Sequence, residues 1–195
     1  MSATPVVISP YDPRWPGRAD ALVAELHATL GAAALRIDHI GSTAVPGMDA
    51  KDILDLQVGV ADLDVAVLQF DDPLRPLGFE RFLGVASDHV PAGCDDDPAL
   101  WVKRFWSRRE HAAGDVNLHV RLVGSPNERL ALLFRDWMRA HPEAIEPYCA
   151  IKRRLAAHAP DSNWYSDLKD PVVDLVVAVA EPWASATGWS TSTSS

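Results

Sequence analysis

The chain has 195 residues, 48% of them hydrophobic and 23% charged, and carries a formal net charge of −9. That length holds one large domain, or a domain and a tail, with enough surface to bury a real core. The acidic balance excludes broad, sequence-independent binding to nucleic acid, which needs a basic surface.

Val6 to Ser9 is a short β-rich run that stops at Pro10, and the turn at Asp12–Pro16 leads into a helix from about Gly17 to Leu30. Leu22, Leu26 and Leu30 share one face of it and Gly31 ends it. A strand over 35–40 runs into Gly41-Ser42, and a small-residue loop leads to a second strand over 53–60 that carries Asp55 and Gln57. A helix over Leu63–Phe70 follows, then a strand over Phe79–Leu83. Gly84 to Pro98 lacks a clear period and holds three successive aspartates, the pattern of a mobile loop. Leu100–Arg108 and Asp115–Val123 form the halves of a hairpin.

Ser125-Pro126-Asn127-Glu128 spells a capping box with proline at the first helical position. The helix it opens buries Leu130, Leu133, Phe134, Trp137 and Met138 on one face. Pro142 interrupts, a further helix runs to about His158, and Asp170-Pro171 starts a last one through Val179. The Ser/Thr-rich stretch 184–195 reads as a disordered tail behind a domain spanning 5–183. The fold class expected is α+β: a mixed sheet with flanking helices and a helical C-terminal third.

Cys94 and Cys149 are too few for a disulfide framework or a zinc site and read as free thiols. Residues 1–5 show no signal-peptide pattern. The longest apolar stretch, Val172–Ala180, is broken by Asp174 and is far short of the ~20 residues that cross a bilayer. A cytosolic protein without a membrane partner is expected. Arg121, Arg129, Arg135, Arg139, Lys152, Arg153 and Arg154 gather in the C-terminal half, where charge runs are usually solvated helix faces.

The Gly41-Ser42 turn carries the most chemistry. A glycine lets backbone approach a phosphate, and the Ser42 and Thr43 hydroxyls with neighbouring N–H groups can donate to its oxygens. The bland alternative is a tight loop whose serine caps a helix. Asp55 and Gln57, two apart on a strand, point the same way. Two acids there would hold Mg²⁺ against phosphates, but the second position is an amide, a neutral ligand. On the strand 115–120, Asp115, Asn117 and His119 share the face opposite Val116, Leu118 and Val120, so Asp115 or His119 can complete a site beside Asp55; a solvated polar face is the plainer reading.

Arg104 on the neighbouring strand suits a phosphate or is a sheet-surface charge. Tyr148 with Lys152, and Tyr165 with Lys169, each place an aromatic ring and a cation four residues apart on a helix, for base stacking and phosphate contact or as snorkelling surface pairs. His39 either donates to a substrate or caps the strand end. No Walker loop, dinucleotide fingerprint or nucleophile elbow is present.

The turn and the strand after it have the layout of the nucleotidyltransferase superfamily. His39-Ile40-Gly41-Ser42-Thr43-Ala44-Val45-Pro46-Gly47 with Lys51 and Ile53-Leu54-Asp55, followed in order by Asn117–Val120, Gly124-Ser125-Pro126, Phe134-Arg135-Asp136, Tyr148, Lys152, Tyr165 and Lys169, resembles the GrpB-like family over residues 5 to 180. Two departures stand out: Asp52 after Lys51, where the family usually has proline, and Gln57.

The resemblance implies a nucleotidyltransferase-like fold. It also implies a nucleoside triphosphate held by Gly41, Ser42, Thr43, Lys51, Arg104, Tyr148, Lys152, Tyr165 and Lys169. Catalysis would fall to Asp55, Asp115 and His119, with Mg²⁺ on Asp55, Gln57 and Asp115 and an unknown acceptor. The competing expectation is a non-catalytic module that binds a nucleotide or a protein partner, like the similar domain fused to some dephospho-coenzyme A kinases.

Overall fold

The structure, a computed structural model, describes residues 6–84, 86–94 and 97–192. Chain order gives α1 (Trp15–Leu30), β1 (Arg36–Ile40), β2 (Ile53–Val60), α2 (Leu63–Leu74), β3 (Glu80–Arg81), β4 (Ala86–Ser87), β5 (Val102–Arg108), β6 (Asp115–Leu122), α3 (Pro126–Ala140), α4 (Ile145–His158) and α5 (Ser162–Thr187). The sheet runs β1-β2-β6-β5-β3, with β4 on β5; β2 and β6 are parallel and the other pairs antiparallel. This is the expected α+β mixed sheet with a helical C-terminal third.

Alternation along the two central strands splits the sheet chemically. Leu54, Leu56 and Val58 of β2 with Val116, Leu118 and Val120 of β6 face Trp15, Leu22, Leu26 and Phe70 of α1 and α2 in the main core. The intervening residues, Asp55, Gln57, Asn117, His119 and Arg121, face the other way, toward the layer of α3, α4 and α5. A second core of Val45, Met48, Phe134, Met138, Tyr148, Cys149 and Val176 fastens that layer to the loop after β1.

Several expectations need correcting. The helix at Asp170-Pro171 begins earlier, at Ser162, where Asp161 caps it by accepting from the N–H groups of Asn163 and Trp164. It passes Pro171 and Pro182 because both sit on its outer side, and it reaches Thr187 before Gly188 ends it in a left-handed turn. Trp189 then donates to Asp136, so residues 184–192 belong to the fold; 193–195 lie outside the described residues.

The capping box does not close as written. The Ser125 hydroxyl donates to the Leu122 carbonyl, and Glu128 reaches past Ser125 to accept from the Gly124 N–H at 2.7 Å. The segment read as a mobile loop holds β4 and Asp88, a carboxylate bound by Arg121, Lys103 and Asn127; Asp95 and Asp96 of its acidic run lie outside the described residues. The basic cluster divides: Arg121, Arg135 and Lys152 are buried, Arg129 is half-buried, and Arg139, Arg153 and Arg154 are exposed as a solvated face would be. Among the described residues no helix is long and apolar enough to cross a membrane.

Candidate functional site

The polar face of β2 and β6, the loop after β1 and the inner sides of α3, α4 and α5 enclose a cavity of about 490 Å³. The loop is held from behind. Arg135 of α3 donates to the His39 carbonyl at 3.0 Å, Arg139 to the Ala44 carbonyl at 3.0 Å, and His39 Nε2 meets Thr43 Oγ1 at 2.9 Å. The guanidinium groups cover carbonyls at the back and leave Ser42 open to the cavity. Gly41 has φ +70°, and a Cβ there would lie 2.6 Å from Asp55 Oδ2. The glycine is therefore demanded by the approach of Asp55 as much as by room for a ligand. Gly41→Ala is expected to cost about 2 kcal/mol or more in urea denaturation, through left-handed backbone strain and displacement of the carboxylate.

Asp55 accepts from Asn117 Nδ2 at 2.7 Å, lies 3.7 Å from His119 Nε2, and keeps about 30% of its side chain exposed toward the cavity. Burial pushes its carboxyl up, but the His119 imidazole, the Asn117 amide and the charge of Lys169 outweigh this and bring it to about 2. His119 is pushed down to about 4 by burial and by the Lys103 ammonium, 3.2 Å from its Nδ1. An ammonium only donates, so Nδ1 accepts and the proton sits on Nε2, facing Asp55. At neutral pH the pair is a carboxylate beside a neutral imidazole.

Five predicted residues, Lys51, Tyr148, Lys152, Tyr165 and Lys169, line the cavity near the loop. Lys152, only 1% exposed, donates to Ser42 Oγ at 3.1 Å and to the Asp49 carbonyl, with its Nζ 4.9 Å from the centre of the Tyr148 ring. Among the described residues no carboxylate pairs with it, and burial brings it down to about 8. Lys51 donates to Ser162 Oγ at 3.0 Å and lies over the Tyr165 ring, which Lys169 also approaches at 5.8 Å. Burial, then the neighbouring Lys169 charge, lowers Lys51 as well. Both phenols are pushed above their ordinary range by burial. Leu130, Phe134, Val173 and Val177 make an apolar wall opposite.

Other predicted residues are not brought in. Asp115 sits two positions short of Asn117 at the start of β6, opposite Ile53, and accepts from the Glu110 backbone N–H in the hairpin link. Arg104 pairs in register with Val120, so it lies on the face toward α2, where it binds Asp64 at 2.7 Å. Gln57 faces the site side but is fully buried. Its Oε1 accepts from Arg121 and its Nε2 donates to the Glu128 carbonyl, so neither end is free for a ligand.

With Asp115 outside and Gln57 committed, Asp55 is left without the partner acid that a two-metal Mg²⁺ site requires, and the residues present do not fit that group. Among the described residues no cluster of three or more His, Cys, Asp or Glu side chains is placed to hold a metal ion.

Sequence reasoning missed a second charged cluster in the same cavity. Asp88 accepts from Arg121 Nε at 2.8 Å and Nη2 at 3.1 Å, from Lys103 at 2.5 Å and from Asn127 at 3.0 Å. Burial pushes the Asp88 carboxyl up, but Arg121 and Lys103 hold it well below the usual range. Lys103 shares the face of Phe105, which pairs with His119; only the pairing register could have separated it from Arg104.

The profile of the family described as GrpB protein matches residues 5–178. A dephospho-CoA kinase of Mycobacterium leprae (strain TN) is 39% identical over 91% of this chain and 47% of its own length. A UPF0157 protein of Halalkalibacterium halodurans is 30% identical over 88% of this chain and 80% of its own. Among solved structures, a conserved protein GrpB from Enterococcus faecalis superposes with a TM-score of 0.71 at 25% identity, covering 91% of this chain and 99% of that one. The chain spans about half the length of the dephospho-CoA kinases it matches. The chain belongs to the GrpB family.

Proposed function

We propose that this domain binds a phosphorylated small molecule, with a nucleoside triphosphate as the leading class, and holds it through lysines rather than through a bound metal pair. The phosphates lie on Ser42, between Lys152, Lys51 and Lys169; a planar or apolar body lies along Tyr165 and the wall at Phe134. One observation carries this reading: Lys152 is buried without a carboxylate and donates to the loop serine. A desolvated cation held by a hydroxyl, a carbonyl and the face of the Tyr148 ring, with no carboxylate, costs stability, and a phosphate at Ser42 would offset that cost. A thermal-shift series checks it: ATP and inorganic triphosphate should both raise the melting temperature in EDTA, and adenosine should not. No shift with any phosphorylated compound would remove the reading.

A second reading, nucleotidyl transfer to an unknown acceptor with Mg²⁺, draws on Asp55, an ionised carboxylate partly open to the cavity beside Ser42. Asp55→Asn separates the two. It preserves size and one acceptor oxygen, so the fold should lose only about 1–3 kcal/mol through the altered pairing with Asn117 and His119. Under the binding reading, ATP stabilisation survives the change, with or without Mg²⁺. Under the transfer reading, wild-type stabilisation depends on Mg²⁺ and the variant loses it. An accessory role draws on the related kinases, which carry a further half beyond the matched region that a binding module would serve.

A further inference from the structure

The inner side of α5 supplies Tyr165, Lys169 and Val177 to the cavity, while its outer side is packed against nothing among the described residues. Trp164, Leu168, Pro171, Leu175, Ala178 and Pro182 are all exposed there, Trp164 at 56% and Leu175 at 66%. Their spacings alternate four and three, the 3.5-residue period of a coiled-coil seam, sustained over about 27 Å of helix. Apolar residues scattered singly on a surface need no explanation, but six in register on one stripe mark a contact surface.

The electrostatics of the rim indicate what fits it. Asp167, Asp174 and Glu181 recur every seven residues along one side of the seam. Asp174 meets His89 and Glu181 meets Arg129 within the chain, while Asp167 has no cation of its own among the described residues. Pro171 and Pro182 lack an N–H, which removes the helical donor for the carbonyls of Asp167 and Ala178 and leaves acceptors beside the stripe. The seam is thus apolar with an electronegative border. A second copy packed antiparallel would bring Asp174 against Asp174 and offer Asp167 only a Glu181 already engaged by Arg129, so it supplies no new cation to the seam.

We infer that the outer face of α5 docks an amphipathic helix of another polypeptide, one that presents an apolar seam flanked by lysine or arginine. Such helix-on-helix recognition draws its affinity from the apolar anchors and its choice of partner from the flanking charges.

The test uses the full chain and two labelled three-heptad peptides, both with leucine at the seam positions, one flanked by lysine and one by glutamate, read by fluorescence anisotropy. The lysine-flanked peptide should bind about tenfold or more tightly than the glutamate-flanked one. Leu175→Glu should weaken it by about tenfold or more with an unchanged melting temperature. Leu168→Glu provides a second site on the seam, and Asp167→Lys should narrow the gap between the two peptides. Equal binding of both peptides would overturn the proposal. So would undiminished binding in both seam variants, or equally tight binding of a lysine-flanked peptide with alanine at the seam. A Leu175-dependent dimer in sedimentation would instead assign the face to a second copy and equally overturn it.

Discussion

Replacing Asp88 with alanine is expected to cost about 3 kcal/mol or more of unfolding free energy, among the largest effects of any single change in this chain. The carboxylate is the common acceptor for Arg121, Lys103 and Asn127, and these cations are only 6% and 14% exposed. Deleting it leaves two positive groups together without their counter-charge, and breaking a buried pair on one side typically costs ~3–5 kcal/mol. Arg121 keeps its bond to Gln57, and Lys103 its contact with His119, so the strands stay oriented while the segment carrying β4 loses its anchor. Urea denaturation gives the loss directly. Removing Lys103 as well should recover part of it, because one stranded cation is then gone; a strictly additive double mutant would show that the two side chains do not interact. Phosphate or sulfate in the buffer should stabilise Asp88→Ala more than wild type, by replacing the missing carboxylate.

Lys152→Met is expected to weaken binding of ATP by about 10- to 100-fold, the equivalent of one charge-assisted hydrogen bond to phosphate. Stability should change by no more than about 1 kcal/mol, because the lost bonds to Ser42 and Asp49 are offset by removing a buried charge. The dependence on pH follows from the same burial. Folding brings this lysine down to about 8, below the ~10.4 of an unfolded chain, so the unfolded state holds more protons between those values. Stability of the ligand-free protein should therefore rise with pH across that window, and the affinity for phosphate should fall as pH rises through about 8. The methionine variant should lose both slopes. A variant that binds ATP as wild type does, or that keeps the fall in affinity above pH 8, would place the phosphates away from Ser42.

Much of the fold was legible because its signals are local. The alternation of β2 and β6, the leucine face of α1 and the breaks at Gly31 and Pro142 are each written in a few neighbouring residues. The loop from His39 to Gly47 was legible for the same reason; that Lys51, Lys152 and Tyr165 belong beside it was implied by the family resemblance and not by any local pattern. What failed depended on register and on partners distant in sequence. Asp115 and Asn117 lie on one face of one strand, and only the pairing of Asp55 with Asn117 decides which of them meets it. Lys103 and Arg104 are adjacent, and the pairing of β5 with β6 sends one into the cavity and the other to α2. Asp88 lay in a stretch without periodicity, and its role comes from three partners 15 to 39 residues away. Pro171 read as a helix start because a proline interrupts a helix from inside; on the outer side of α5 its missing donor faces away from the packed layer.

Calorimetric titration of the wild-type chain with ATP, once in EDTA and once in excess Mg²⁺, decides between phosphates held by lysines and phosphates held through a metal. The expected result is saturable one-site binding in EDTA that Mg²⁺ does not strengthen, since Lys152, Lys51 and Lys169 supply the positive charge and Asp55 has no second acid beside it. Binding seen only with Mg²⁺ would contradict a lysine-held phosphate site and restore Asp55 as a metal ligand.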